Sequence, residues 1–124
     1  MAVINLPKLV RSFKFAFRGL YYLLKHEQNA RIHAFITIFV GIAAYTLSLS
    51  RLEAAILFFA VTLVFAIEII NTAIEKLLDI VHPDSHSQIA IIKDALAGAV
   101  LIAAAIATVV AVLVFYPHIY RLFS

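Results

Sequence analysis

Three long apolar runs divide this sequence, with short polar segments between them. The runs cover residues 34–49, 52–74 and 95–116, and the last has no charged side chain. A transmembrane helix needs about 20 mostly apolar residues. With residues 32 and 33 added to the first run, the pattern predicts three transmembrane helices at about residues 32–49, 52–74 and 95–116. Pro83 lies in the polar segment 82–88, and Pro117 is expected to end the third helix.

The segment before the first run is amphipathic. Aromatic and leucine side chains recur at helical spacing on one side (Phe13, Phe17, Leu20, Tyr21 and Leu24), and basic ones on another (Arg11, Lys14, Arg18 and Lys25). A basic, aromatic helix of this kind lies in the membrane interface with its apolar face down. We expect a surface helix at about residues 8–25. Simple anchoring to anionic lipid and direct handling of a substrate both remain open for it.

Composition places the chain among membrane proteins. Of its 124 residues, 65% are hydrophobic and only 14% are charged, against about 25% charged in soluble domains. We therefore predict an all-α integral membrane protein, with residues 1–124 forming a single membrane domain. The net charge of +3 lies beside membrane segments, which fits a membrane surface and argues against a nucleic-acid partner. The absence of cysteine excludes disulfides and thiolate metal sites.

The distribution of lysine and arginine predicts the orientation of the chain in the membrane. Six of them precede or begin the first run, and two flank the 82–88 segment: Lys8, Arg11, Lys14, Arg18, Lys25, Arg31, then Lys76 and Lys93. The opposite side holds only Arg51 and Arg121. Because basic residues favour the cytoplasmic side, we expect the amino terminus and the 82–88 segment inside and the carboxyl terminus outside.

Acidic and polar residues interrupt the end of the second run. Glu68, Asn71, Thr72, Glu75 and Asp79 occur there, and a helix returns to within about 20° of its starting direction after seven residues. These residues therefore share one face of the helix. A carboxylate in the middle of a membrane helix costs about 2.5–3.5 kcal/mol. A solvated helix end would account for Asp79 but not for Glu68, so the stripe indicates a functional site.

Two further polar clusters should reach the same membrane face. One is residues 25–33, where Glu27 and Arg31 are four apart and could pair on a helix, and the other is Lys93 with Asp94. The topology brings both to the depth of the acidic stripe. His26 and His33 are weak evidence for a metal site and could be interfacial side chains only.

Small residues recur every four positions in the third run. They are Ala95, Ala99, Ala103, Ala107 and Ala111. Such spacing lets helices approach closely in lipid. Since Glu68 also needs a polar environment away from lipid, we expect an oligomer.

The residues exclude some kinds of phosphate-binding site and favour one kind of reaction. The chain lacks a phosphate-binding P-loop and the protein-kinase signatures. Glu27 and Glu75 could hold Mg²⁺ shared with substrate phosphates, and Lys93 could contact a phosphate. Glu68 lies about 10 Å deeper than Glu75 and could take a proton from a lipid hydroxyl. The residues thus favour phosphoryl transfer at the membrane surface, while proton or ion conduction through Glu68 and a purely structural oligomer remain open.

Two segments add a resemblance. Glu68-Ile-Ile-Asn71-Thr72-Ala-Ile-Glu75-Lys-Leu-Leu-Asp79 and Lys93-Asp94-Ala-Leu-Ala-Gly98-Ala99-Val closely resemble the prokaryotic diacylglycerol kinase family, which includes undecaprenol kinases. The resemblance runs from Phe13 to about Phe115. It implies a homotrimer of three-helix subunits with active sites shared between neighbours. It also implies ATP and Mg²⁺ as co-substrate and cofactor, and a lipid alcohol as acceptor.

The resemblance also assigns roles by position. Glu68 matches the family's general base, Asn71 the asparagine near the reacting phosphate, and Glu27 and Glu75 the carboxylates that hold the metal. Five positions match nucleotide contacts: Asp84, Ser85, His86, Lys93 and Asp94. Ser85 stands where the family often has tyrosine, and Ala97 where some members have serine. The pattern Lys25-His-Glu-x-Asn-x-Arg-Ile-His33 is more similar to the undecaprenol kinases, so undecaprenol is slightly favoured over diacylglycerol.

Overall fold

A computed structural model describes residues 3–124, and four helices make up most of this part of the chain. Their bounds are α1 Leu6–His26, α2 Gln28–Thr46, α3 Arg51–Val81 and α4 Ser87–Phe123. The all-α architecture expected from the apolar periodicity is confirmed. The amphipathic segment forms α1. The second and third apolar runs lie within α3 and α4, and the first lies in α2 except for residues 47–49, which follow the helix.

Local signals in the sequence set where α1 begins and ends. The Asn5 side chain accepts a hydrogen bond from the backbone N–H of Lys8 at 3.0 Å, which caps the first turn. At the other end, the Arg31 guanidinium donates to the carbonyl oxygens of Leu24 and Lys25, at 3.1 and 2.9 Å. These carbonyls belong to the last turn of α1 and have no partner within the helix. Arg31 therefore fixes the sharp connection from α1 to α2.

A capping box starts α3. The Ser50 hydroxyl accepts from the backbone N–H of Glu53 at 3.1 Å, and the Glu53 carboxylate accepts from the backbone N–H of Ser50 at 3.4 Å. The short polar segment between the first two apolar runs thus forms a tight turn, and residues 51–53 already belong to α3.

The helix that contains the third apolar run does not end at Pro117. Helix α4 continues through this proline to Phe123, so the expected stop there is wrong. Proline removes one backbone hydrogen bond, and membrane helices tolerate that loss when neighbouring groups hold the chain in place. Here the next residue, His118, hydrogen-bonds through Nε2 to the Glu53 carboxylate of α3 at 2.8 Å. This contact holds the last turns of α4 beside the start of α3.

The apolar core lies toward this end of the bundle. Val40 of α2 packs with Leu57 and Val61 of α3, and Leu57 is only 1% exposed. Half-buried side chains of α4 and Leu49 complete the cluster: Val110, Ala111, Val114 and Phe115. Helix α3 contacts both α2 and α4, so it is the central helix and any polar residue on its inner face becomes buried.

Two helices are long and apolar enough to cross a membrane, α3 with 31 residues and α4 with 37. At 1.5 Å per residue they reach about 46 and 55 Å, more than the roughly 30 Å of a hydrocarbon core. Their polar ends therefore extend beyond it. Helix α2 has 19 residues and begins with a polar turn. The chain is an integral membrane protein, and the three transmembrane spans at residues 32–49, 52–74 and 95–116 remain a prediction.

The alanine repeat of α4 does not form one uniform face. Ala107 is buried and Ala111 packs on the core within the chain, whereas Ala95 and Ala99 are exposed. A repeat of four residues drifts about 40° per step around a helix, so the stripe turns from one neighbour to another. Only its first half is available to a helix of another chain.

Candidate active site

Helix α3 buries the first three polar residues of the predicted stripe. Glu68 is 3% exposed, Thr72 6% and Asn71 8%. The Thr72 hydroxyl donates to the Glu68 carboxylate at 3.5 Å, a long contact that constrains the carboxylate weakly. Among the described residues, the side-chain oxygen of Asn71 is buried without a hydrogen-bond partner. A buried polar group without a partner is costly, so this position has capacity to bind a ligand.

Exposure rises along α3 toward its carboxyl end. Glu68 is buried, Glu75 is half-buried and Asp79 is exposed. The expected difference in depth between Glu68 and Glu75 is therefore present: one carboxylate is enclosed by the bundle, and the next can be reached by water-soluble groups.

Glu27 does not pair with Arg31. Its carboxylate accepts from the Lys76 ammonium of α3 at 2.7 Å, while Arg31 binds backbone carbonyls. The possible pairing with Arg31 on one helix face is not formed, because Glu27 is not inside a helix. It lies between α1 and α2, with φ −111° and ψ 120°, and its side chain points across to α3.

Aromatic rings of α1 surround this ion pair. The Lys76 ammonium lies 5.7 Å from the centre of the Tyr22 ring, and the Tyr22 and His26 rings are 4.4 Å apart. His33, on α2, stacks on Phe65 with ring centres 6.5 Å apart. His26 and His33 thus both have aromatic partners.

A second ion pair joins α4 to the same end of the bundle. The Lys93 ammonium binds the Asp79 carboxylate at 2.6 Å. The residues around Glu27, the acidic stripe and Lys93 are therefore held at one end of the molecule, as the topology predicted. Asp94, beside Lys93, is exposed.

The connection between α3 and α4 carries the other predicted nucleotide contacts. Asp84, Ser85 and His86 are all exposed. The His86 ring accepts from the backbone N–H of Gln88 at 3.1 Å and so caps α4. The rings of His82 and His86 lie 5.1 Å apart. Within residues 3–124, no side chain covers these three residues, so they can contact a soluble ligand.

The carboxylates fit Mg²⁺ only together with a phosphate ligand. In residues 3–124, no group of three or more acidic or histidine side chains is close enough to hold a metal alone. Mg²⁺ usually takes one or two protein carboxylates and completes its shell with water and substrate phosphates. Glu27 already binds one cation, the Lys76 ammonium, and Glu75 precedes Lys76 on α3. Glu27 and Glu75 would therefore suit a Mg²⁺ ion whose other ligands are water and the phosphates of a nucleotide.

An apolar groove of about 430 Å³ lies along the bundle and is lined by residues of α2, α3 and α4. His33 and Val64 line one end of it, Ala104 and Ala107 its middle, and Ile119 the far end. Val64 is one helical turn before Glu68. A hydrocarbon chain in the groove would thus place its polar end near the buried carboxylate.

Sequence reasoning missed the role of Lys76. It entered only as one charge among those that set the orientation. Its partner Glu27 is 49 positions away, and that contact depends on where α1 meets α2. The visible signal was a lysine inside an otherwise acidic stripe.

Comparison with known proteins identifies the family. A profile of prokaryotic diacylglycerol kinase matches residues 14–115. The chain is 39% identical to a diacylglycerol kinase of Synechocystis sp. over 84% of its own length and 60% of that protein's. It is 33% identical to the undecaprenol kinase of Bacillus subtilis over 93% of its length and 94% of that protein's. A diacylglycerol kinase of Haemophilus influenzae is 28% identical over 86% and 90% of the two chains.

The chain thus spans about 60% of the Synechocystis relative and nearly all of the Bacillus one. The family profile covers the acidic stripe, both ion pairs of the polar end and the apolar core. The resemblance inferred from the two polar segments is confirmed, and this chain belongs to the prokaryotic diacylglycerol kinase family.

Proposed function

We propose that the chain is a lipid kinase that transfers the γ-phosphate of ATP to the primary hydroxyl of a lipid alcohol, with Mg²⁺ bound to the nucleotide. The observation that carries the proposal is Glu68, a carboxylate 3% exposed on the central helix, beside the unpartnered Asn71. A structural role gives no reason to bury these groups there, because each costs free energy in an apolar bundle.

Glu68 is proposed as the general base. The lipid hydroxyl gives its proton to the Glu68 carboxylate as its oxygen bonds to the γ-phosphorus, and the bond from that phosphorus to ADP breaks. The weak contact from Thr72 leaves the carboxylate free to accept a proton. Asn71 is proposed to contact the reacting groups through both ends of its amide. A donor such as a hydroxyl would satisfy its buried oxygen, while the amide N–H groups would donate to the reacting phosphate.

The outer carboxylates are proposed to position the nucleotide. Glu27 and Glu75 would hold Mg²⁺, whose charge neutralises phosphate oxygens in phosphoryl transfer. Lys93, Asp94 and the exposed segment Asp84–His86 would contact the nucleotide at the same end of the bundle. Their exposure supports this role, since ATP arrives from water.

The apolar groove is proposed to hold the hydrocarbon chain of the lipid. Its near end is one turn from Glu68, which matches a lipid whose hydroxyl reacts there. Ala104→Phe would fill the middle of the groove and should raise the KM for lipid several-fold while leaving the KM for MgATP unchanged. Ala105→Phe, on the exposed neighbouring position, is the matched control.

Undecaprenol is proposed ahead of diacylglycerol as the acceptor. The relative named undecaprenol kinase matches almost end to end, and the polar pattern at residues 25–33 is similar to that branch. Of the two relatives named diacylglycerol kinase, the Synechocystis one is 39% identical but considerably longer, and the Haemophilus one is 28% identical.

The assembly is proposed to be a homotrimer with sites shared between neighbours. The exposed first half of the alanine repeat supports close packing with another chain. Size measurement in detergent tests the number of subunits, and Ala99→Leu should reduce both assembly and activity.

We also propose that the amino terminus and the active site face the cytoplasm, with the carboxyl terminus outside. A cysteine placed at the exposed position 51 should be labelled only from outside, and one at position 85 only from inside. Labelling of position 51 from the cytoplasmic side would contradict this orientation.

A transfer assay tests the proposed function. Purified protein with labelled ATP and Mg²⁺ is offered undecaprenol and diacylglycerol in parallel. We expect labelled phosphate in lipid, with undecaprenol the better acceptor, and no transfer without Mg²⁺. Proton or ion flux across liposomes without ATP, and no labelled lipid, would favour the conducting role instead.

A further inference from the structure

The ion pair between Lys76 and Glu27 places a cation of the protein on a carboxylate proposed to bind Mg²⁺. Their charged atoms are 2.7 Å apart, and the contact joins the α1–α2 connection to the central helix. With side chains 44% and 29% exposed, the pair adds little to stability, because water competes for both charges. A weak, water-accessible pair is one that an incoming cation can displace.

The surroundings favour such a displacement. Glu75 precedes Lys76 on α3, and Asp79 follows it by three positions, so removing the ammonium from Glu27 would leave that carboxylate without its cation near an acidic part of the helix. Asp79 is already neutralised by Lys93. The Tyr22 ring, 5.7 Å from the ammonium, gives Lys76 a second contact that does not involve Glu27.

We propose that Lys76 occupies the metal-binding oxygens of Glu27 in the nucleotide-free protein and so keeps metal ions from binding without a nucleotide. The inference rests on the proposed metal role of Glu27. MgATP brings phosphates that hold the metal from the other side, and its binding displaces the ammonium toward Tyr22. Lys76 is thus a positioning and selectivity residue that acts through Glu27.

The test measures binding of Mn²⁺, used in place of Mg²⁺, to the purified full chain in detergent without nucleotide. Free Mn²⁺ is followed by electron paramagnetic resonance. Lys76→Gln should bind Mn²⁺ about threefold to tenfold more tightly than the wild type, because one positive charge next to the carboxylate is lost. Lys76→Arg keeps the charge and should bind Mn²⁺ as the wild type does.

Lys25→Gln is the matched control. Lys25 also lies over a tyrosine, 6.0 Å from the Tyr21 ring, but it makes no ion pair within residues 3–124. Its substitution removes the same charge two residues from Glu27 and should change the Mn²⁺ affinity by less than about twofold. Adding Glu27→Gln to Lys76→Gln should abolish the gain.

The inference is overturned if Lys76→Gln binds Mn²⁺ no more tightly than the wild type, if Lys25→Gln gains as much, or if the gain persists without Glu27. The transfer assay separates this from the proposed function. If lipid is phosphorylated but the Mn²⁺ affinities of the variants do not change as expected, only the role proposed for Lys76 is wrong. If the Mn²⁺ affinities change as expected but no lipid is phosphorylated, the proposed kinase function is wrong and the role of Lys76 stands.

Discussion

Both ends of the helix bundle contain polar side chains, but the buried polar groups of α3 near the polar end lack the partners that Glu53 has at the other end. At the apolar end, Glu53 accepts hydrogen bonds from His118 of α4 and from the backbone of Ser50, so its carboxylate has partners within the chain. At the polar end, Asn71 has a buried oxygen without a partner, and Glu68 has only a long contact from Thr72.

This difference separates structural polar groups from functional ones. A polar group whose partners are all present stabilises one arrangement of helices. A buried group without partners destabilises the folded protein until a ligand supplies the partner. Helix α3 carries one of each kind at its two ends, so substitutions along this single helix can test the comparison.

The largest effect is expected from Glu68→Gln. Removing the proposed base should lower kcat for lipid phosphorylation by about 10²- to 10⁴-fold, the usual contribution of a positioned base. Glu53→Gln makes the same chemical change at the other end of α3 and should leave kcat within about twofold. Steady-state assays of both variants measure this, and equal losses would mean that the two ends do not differ in function.

Leu57→Ala should affect stability and spare the chemistry. Leu57 is the most deeply buried apolar side chain of the core, and its truncation should cost about 2–3 kcal/mol. This value is in the lower part of the usual range for Leu→Ala. Lipid tails are as apolar as leucine, so the substitution loses packing contacts but little free energy of transfer. Thermal unfolding in detergent should show a lower Tm, with kcat unchanged at low temperature. Phe58→Ala, at an exposed position, should leave the Tm nearly unchanged.

The sequence predicts features that depend on neighbouring residues better than contacts between distant ones. The burial of Glu68 followed from a carboxylate in an apolar run, a strong local signal. The partner of Glu27 did not, because local spacing favoured Arg31 and the real partner, Lys76, is distant in sequence. Past Pro117, α4 continues to a contact between His118 and Glu53, which are 65 positions apart. Periodicity predicts which residues face inward, but it does not predict which distant side chains meet.

The outer carboxylates should give an intermediate effect. Glu27→Gln and Glu75→Gln should each raise the Mg²⁺ concentration needed for half-maximal turnover by about tenfold, because a charged oxygen ligand is lost. Titration of Mg²⁺ at saturating lipid and fixed ATP measures this. An unchanged Mg²⁺ dependence in both variants would remove the proposed metal site.

The smallest effect is expected from His118→Gln at the apolar end. It weakens a contact between partly exposed groups, so the Tm should fall by only about 1–3 °C. Activity at low temperature should be unchanged. A loss of kcat in this variant would show that the apolar end influences the reaction, which the comparison does not allow.

The central claim is that the deep carboxylate performs the chemistry while the outer carboxylates hold the nucleotide. Measuring MgATP binding and lipid phosphorylation on the same preparations of Glu68→Gln and Glu75→Gln tests this claim most directly. We predict that Glu68→Gln binds MgATP nearly as the wild type does but scarcely turns over, and that Glu75→Gln binds MgATP weakly. Near-normal turnover by Glu68→Gln, or loss of MgATP binding in Glu68→Gln but not in Glu75→Gln, would contradict it.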